Sequence, residues 1–118
     1  MRARFRKFKF PVFSNFEVRV EITDNIDKSF SSKKDLESLY DEVRTGSSEA
    51  MTVVPEENNQ ITYIFLPPSA SWGTISHECY HAVTNMFEFV NADPDEETIA
   101  YHLGYLVDEV CRFAWRKR

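Results

Sequence analysis

The sequence contains little glycine and cysteine, and it lacks any long apolar run. Its 118 residues include three Gly, five Pro and two Cys. So little Gly and Pro, without any repeat, excludes collagen-like and low-complexity chains. No run of about 18 apolar residues is present, and we therefore expect no membrane-spanning helix and no membrane partner. The basic segment 1–10 has no continuous apolar stretch and no small-residue cleavage site, so it does not resemble a secretory signal.

The two cysteines, Cys79 and Cys111, have neither the spacing of a zinc knuckle nor that of a CxxC redox pair. Both fall in apolar helical patterns, where Cys usually acts as a small hydrophobic residue. This usage favours a reducing compartment, and we expect a cytoplasmic location.

Hydrophobic residues are plentiful, at 42% of the chain, and they include ten Phe, five Tyr and two Trp. This content excludes a disordered chain. A length of 118 residues is enough to bury a core in one domain, but it leaves little room for a second one. We therefore predict a single domain over residues 1–118.

Charge is distributed unevenly along the chain, whose net charge is −5. Residues 2–9 contain five basic residues and residues 112–118 contain four, whereas residues 20–111 contain 18 acidic and four basic residues. The basic ends could contact nucleic acid or an acidic partner. An acidic body repels phosphate, however, so we expect solvated termini and do not expect a nucleic-acid partner.

Four segments show strand patterns. Residues 15–23 alternate apolar and polar side chains, as a half-buried strand does. Residues 4–13 alternate too, but Pro11 restricts them to an edge strand or the end of a strand. Residues 50–56 and 60–67 read as two strands joined by a hairpin-like turn at "ENN". We interpret the last strand as a buried core strand, with a substrate-pairing edge strand as the alternative.

Three segments show helical patterns. The first covers residues 33–43, with Ser31 or Ser32 as its N-cap and Gly46 at its end. A second helix is predicted from about residue 72 to residue 90.

A last helix follows the acidic break "NADPDEE", with Asp93 or Asp95 as its N-cap, and runs to about residue 114. The order β-β-α-β-β-α-α predicts an α+β fold, in which a small antiparallel sheet is packed by helices.

The motif His77-Glu78-Cys79-Tyr80-His81 lies in the second of these helices. Histidines four apart differ by about 40° around a helix, so both imidazoles point to one side. They also lie off the apolar stripe that contains Ile75, Cys79 and Met86. Two neutral imidazoles can bind one zinc ion, and Glu78 can then reach a water on it. The alternative is a surface pair without function.

A catalytic zinc normally takes three protein ligands and a water. The remaining histidine, His102, does not complete the metzincin spacing, so we expect an acidic third ligand at the start of the last helix. We predict Glu97, because it shares a side with the small residues Ala100 and Gly104. Glu96 is the alternative for the ligand, and both can also be ordinary first-turn acids favoured by the helix dipole.

The pattern His77-Glu78-x-x-His81 followed by Glu97-x-x-Ala100 resembles the gluzincins, the zinc peptidases whose third ligand is a glutamate on a second helix. The resemblance implies a zincin-like, two-helix zinc-binding unit at the C-terminal end. It also implies Zn²⁺ as cofactor and a peptide or protein substrate.

Residues 60–108 also resemble small metallopeptidase-like proteins encoded by tailed phages, and a phage origin would make the location the host cytoplasm. Tyr101 departs from the gluzincin pattern, in which Asp, Asn or Ser often follows the Glu-x-x-small residues.

The resemblance implies a zinc-dependent peptidase in which Glu78 is the general base. Tyr101, His102 and Tyr105 are candidates to stabilise the oxyanion. Asp108 is either an acceptor that orients a ligand histidine or a surface charge. The alternative function is a non-catalytic, zinc-containing binding module or phage accessory protein. Retention of Glu78 favours the peptidase, because a structural site has no use for a general base.

Overall fold

The fold is α+β, as predicted, and the computed structural model describes residues 3–39 and 50–116. Its elements follow one another as β1 (Arg4–Lys9), β2 (Glu17–Ile22), α1 (Ile26–Ser31), a 3₁₀ helix (Lys34–Leu39), β3 (Met51–Val53), β4 (Ile61–Leu66), α2 (Trp72–Phe89) and α3 (Glu96–Ala114).

The four strands form a mixed sheet in the order β1-β2-β4-β3. β1 is antiparallel to β2 and β3 is antiparallel to β4, but β2 and β4 are parallel. The expectation of a purely antiparallel sheet is therefore wrong. The chain passes through α1 and the 3₁₀ helix between β2 and the β3–β4 pair, and parallel neighbours require such a long connection.

β4 lies inside the sheet, and five of its six residues are buried. Such a continuous apolar run is typical of a strand covered on both faces. The interpretation of residues 60–67 as a buried core strand is confirmed, and β3 takes the edge position instead.

Helices cover both faces of the sheet. On one face, a large apolar cluster joins β1, β2 and β4 to α2 and α3. On the other face, Phe30 of α1 and Leu36 of the 3₁₀ helix pack with Tyr63 and Phe65 of β4. Burial of both faces supplies the apolar area that stabilises a chain of this size.

β1 is an edge strand that ends before Pro11, as predicted. Its first residue ties it to the end of α3, because the Arg4 guanidinium donates to the carbonyl oxygens of Phe113 at 3.0 Å and Ala114 at 2.9 Å. The last carbonyls of a helix lack partners within the helix. Arg4 therefore satisfies two of them and holds α3 against β1.

The predicted helix over residues 33–43 differs from the structure. Asn25 is the N-cap of α1, and its side chain accepts from the Lys28 amide at 3.0 Å. Ser32, predicted as an N-cap, is the C-cap of α1, and its hydroxyl donates to the Ser29 carbonyl at 2.7 Å. A serine hydroxyl can also donate to a carbonyl of the preceding turn. Ser32 makes that hydrogen bond and does not cap a following helix. Residues 40–49, including the predicted end of this helix, lie outside the described residues.

The two long helices begin at capped positions. Ser71 accepts from the Thr74 amide at 3.2 Å and Asp95 accepts from the Thr98 amide at 2.8 Å. Both are N-caps, and this confirms Asp95 as one of the two predicted caps.

A tight turn reverses the chain between α2 and α3. Asn91 has a φ of 56°, and the amides of Asn91 and Ala92 donate to the carbonyls of Glu88 at 3.1 Å and Phe87 at 3.0 Å. This is the Schellman pattern of helix termination, with Asn tolerating the left-handed conformation. The turn places the start of α3 beside the end of α2.

Candidate metal centre

His77 and His81 lie on an exposed side of α2 with their Nε2 atoms 3.2 Å apart. Their ring centroids are 4.8 Å apart and the rings are nearly perpendicular, at 79°. Two nitrogen ligands at about 2.0–2.1 Å from a tetrahedral zinc are about 3.3–3.4 Å apart. The spacing of the two Nε2 atoms therefore fits two adjacent positions of one zinc ion.

The sequence of α2 explains why the pair is exposed. The apolar stripe of the helix, which includes Ile75, Cys79 and Met86, is fully buried against the sheet and α3. The two histidines lie off this stripe, as predicted. Their rings are therefore open to an ion from solvent.

Glu78, between the stripe and the pair, is buried at 8% exposure. Its carboxylate Oε1 accepts a hydrogen bond from the Thr52 hydroxyl, and the same hydroxyl lies 3.2 Å from the Glu78 carbonyl oxygen. Thr52 thus attaches the carboxylate to the edge strand β3. A buried carboxylate needs such a partner.

Thr52 was not predicted as a site residue. The available signal was strand alternation, because its neighbours Met51 and Val53 face the opposite cluster beside α1. A threonine between two such residues must face α2. Sequence reasoning, however, cannot determine which side chain of α2 it meets.

The predicted third ligand, Glu97, is exposed in the first turn of α3. The two long helices are antiparallel: Phe87 contacts His102 at 5.3 Å between ring centroids. His81 is six residues before Phe87, so in the antiparallel pair it lies opposite the position in α3 that is six residues after His102. Glu97 is five residues before His102, on the other side of this contact. At 1.5 Å per residue the separation along the axis is about 16 Å. The structure does not bring Glu97 to the histidine pair, and neighbouring Glu96 shares its position in this exposed turn.

Within residues 3–39 and 50–116, no group of three or more His, Cys, Asp or Glu side chains could hold a metal ion. The described residues thus offer a zinc ion two imidazoles and no third protein ligand. The third protein ligand remains a prediction from the sequence.

His102 is a core residue in this structure. It packs against the rings of Phe10, Phe13 and Phe87 at 5.5, 5.5 and 5.3 Å. Its Nδ1 donates to the Thr98 carbonyl at 2.9 Å, and its buried Nε2 has no partner among the described residues. His102 is therefore buried among aromatic rings, whereas His77 and His81 are exposed on α2.

The other predicted accessory residues lie on α3. Tyr101 is exposed, and its ring contacts His102 at 5.2 Å. The Tyr105 hydroxyl donates to the Lys9 carbonyl at 3.4 Å, and Asp108 lines a groove with Arg6. Both residues therefore lie toward β1, at the sheet edge opposite to β3 and Glu78.

Neither cysteine has the character of a ligand or nucleophile. Burial raises the pKa of the Cys79 thiol, and Cys111 and Glu78 raise it further. Burial also raises the pKa of Cys111, with a second contribution from Asp108. Metal binding and nucleophilic attack need the thiolate, and the raised pKa values favour the protonated thiol at neutral pH in both residues.

Comparisons with family models, curated proteins and solved structures found no match for the chain. The resemblance to the gluzincins therefore rests on the motif residues themselves. Among the described residues, no helix combines the length and apolar character needed to cross a membrane.

Proposed function

We propose that this chain is a zinc-dependent peptidase in which His77 and His81 bind the metal and Glu78 is the general base. The observation that carries the proposal is the separation of 3.2 Å between the two Nε2 atoms. Without metal, one neutral imidazole donates to the other at this same separation, and a bound zinc would replace that hydrogen bond with two zinc–nitrogen bonds.

The position of Glu78 supports the role of base. Thr52 donates to Oε1, which fixes the carboxylate and leaves Oε2 with its lone pairs available for a proton. A bound zinc would supply a water of lowered pKa and polarise the scissile carbonyl. Glu78 takes the proton from the attacking water and delivers it to the leaving amine.

The edge strand β3 supports a peptide as the substrate. β3 is at the end of the sheet order, and its Thr52 contacts Glu78 directly. An extended peptide that pairs with an exposed strand edge gains backbone hydrogen bonds without sequence preference. Pairing along β3 would carry a peptide bond past the Glu78 carboxylate.

The second candidate is a non-catalytic, zinc-containing binding module, such as a phage accessory protein. Two observations favour it. Glu97 is distant from the pair, and the described residues contain no group of three metal-binding side chains. A catalytic zinc usually has three protein ligands.

Digestion of a broad peptide library separates the two functions. Wild-type protein with zinc should cleave, whereas Glu78→Gln should keep its fold and lose about 10²–10⁴-fold in rate or more. Glu88→Gln, at an exposed position of the same helix, is the matched control and should cleave like wild type. Cleavage that survives in Glu78→Gln contradicts the role of Glu78, and zinc binding without any cleavage supports the binding module.

A further inference from the structure

The two basic ends of the chain meet at one groove. β1 and the end of α3 lie side by side, joined by the Arg4 hydrogen bonds to Phe113 and Ala114. Between them is a groove of about 610 Å³. We name it the arginine–tryptophan groove, and its lining residues are Arg6, Asp108, Cys111, Arg112, Trp115 and Arg116.

Positive charge predominates in this groove. Arg6, Arg112 and Arg116 are all exposed, and Asp108 is the one carboxylate in the lining. Arg112 also bonds Glu109 at 2.6 Å, at an exposed site where such a pair contributes little. The structure thus joins ends that are more than 100 residues apart in sequence into one groove whose charged lining is mostly basic.

A pair of stacked indoles forms one rim of the groove. The ring of Trp72, at the start of α2, stacks on Trp115 with centroids 5.7 Å apart and an interplanar angle of 18°. Trp115 Nε1 donates to the Ala70 carbonyl at 3.4 Å, which fixes the pair to the fold. Trp72 is 71% exposed and extends, by this stacking, the indole surface of Trp115, which itself lines the groove with the arginines.

From this arrangement, and against the expectation from the net charge of the sequence, we propose that the arginine–tryptophan groove binds single-stranded nucleic acid. Guanidinium groups contact phosphates, while an exposed indole stacks on an unpaired base. In duplex nucleic acid the faces of the bases are stacked inside and cannot contact an indole. An acidic protein segment would bind through the arginines alone and would make no use of the exposed indole. The Trp72–Trp115 pair beside three arginines favours the single strand over both. The acidic body keeps the affinity low and dependent on salt.

The first test measures binding of a fluorescein-labelled thymidine oligonucleotide of about ten nucleotides, within the usual site size. Log affinity should fall linearly with log salt concentration, with a slope of about 0.7 per phosphate contact. Arg112→Ala and Arg116→Ala should each flatten that slope by about 0.7. Lys28→Ala removes the same charge at an exposed position outside the groove, and it should leave the slope unchanged.

The second test separates stacking from charge. Trp72→Ala should weaken binding about five- to a hundredfold without changing the salt slope, because base stacking is lost and phosphate contacts remain. Trp115 lines the groove and Trp72, the other tryptophan of the chain, stacks on it, so binding should also quench the intrinsic fluorescence of wild-type protein. At a pH above the ordinary thiol pKa of about 8.5, where Cys111 should react, bound oligonucleotide should protect this groove residue from alkylation.

Three results would overturn the proposal. The first is that wild-type protein does not bind the oligonucleotide at low salt. The second is that the arginine variants bind with the wild-type slope. The third is that oligoglutamate or duplex DNA binds as tightly as the single strand and Trp72→Ala has no effect, which would identify a general polyanion surface. All the substituted residues are exposed, and circular dichroism and the melting temperature should verify that each variant keeps its fold.

Discussion

Thr52, in the edge strand β3, donates its hydroxyl hydrogen to the carboxylate of Glu78 in α2. This bond connects the edge of the sheet to the helix that carries both metal-site histidines. Glu78 is buried at 8% exposure, so water cannot easily donate the hydrogen bond that the Thr52 hydroxyl gives to the carboxylate. Thr52 therefore affects both the stability of the fold and the position of the proposed base.

Thr52→Val tests this relationship. Valine keeps the shape of threonine but leaves a buried carboxylate without its donor, so the free energy of unfolding should fall by about 1–3 kcal/mol. Thr52→Ser keeps the hydroxyl and is the control. Urea denaturation of the three proteins measures the effect, and equal stability of Thr52→Val and wild type would show that the hydrogen bond contributes nothing.

The position of the third ligand can be tested with two neighbouring glutamates. The structure places Glu97 about 16 Å along the helix axis from the level of His81, so Glu97→Gln should change zinc affinity no more than Glu96→Gln does. The sequence pattern predicts instead that Glu97→Gln alone weakens binding. Isothermal titration with zinc distinguishes the two, and a selective loss in Glu97→Gln would mean that the start of α3 moves toward the pair.

The difference between these two expectations has a physical cause. A spacing of four residues on one helix fixes the relative position of His77 and His81, so the pair could be predicted from the sequence. The level of α3 against α2, in contrast, depends on the turn at Asn91 and on the packing of Phe87 with His102. A helix that starts beside the end of its antiparallel partner presents its first turn far from the partner's middle. The pattern Glu-x-x-Ala does not contain that information.

The fold shows the same limit. α2 and α3 are long and amphipathic, so periodicity located them to within a few residues. α1 has only six residues, too few for a periodic signal, so the sequence pattern does not predict this helix or its N-cap Asn25. The parallel pairing of β2 with β4 depends on how the chain crosses the sheet, which tertiary packing decides.

The two thiols should differ in reactivity. Cys79 is fully buried and Cys111 is half-buried, and burial raises the pKa of both thiols. Alkylation needs the thiolate, so in native protein Cys111 should react only as pH rises above the ordinary thiol pKa of about 8.5. Cys79 should react only after unfolding. Mass spectrometry after timed exposure to iodoacetamide measures both sites, and equal rates would contradict the burial of Cys79.

Asp95 should make stability depend on acid pH. Hydrogen bonds from the Thr98 side chain and amide lower the pKa of Asp95. Because the folded pKa is below the unfolded value of about 3.9, this stabilisation is complete above that value and is lost as pH falls through the folded pKa. The stability difference between wild type and Asp95→Ala should therefore shrink in acid.

Urea denaturation at neutral pH and at about pH 3 measures this difference. Asp93→Asn, at an exposed position that does not cap α3, is the control and should show no comparable trend. A difference between wild type and Asp95→Ala that stays constant with pH would contradict the role of the carboxylate as a charged cap.

The central claim, that His77 and His81 form a metal site, is tested most directly by zinc titration of the purified, metal-free protein. Wild type and the Tyr80→Ala control should each bind about one zinc per chain, because the two imidazoles converge on a single ion. His77→Ala and His81→Ala should each abolish that binding while the fold, followed by circular dichroism, is retained. Failure of wild type to bind zinc, or unchanged binding in either histidine variant, would contradict the claim.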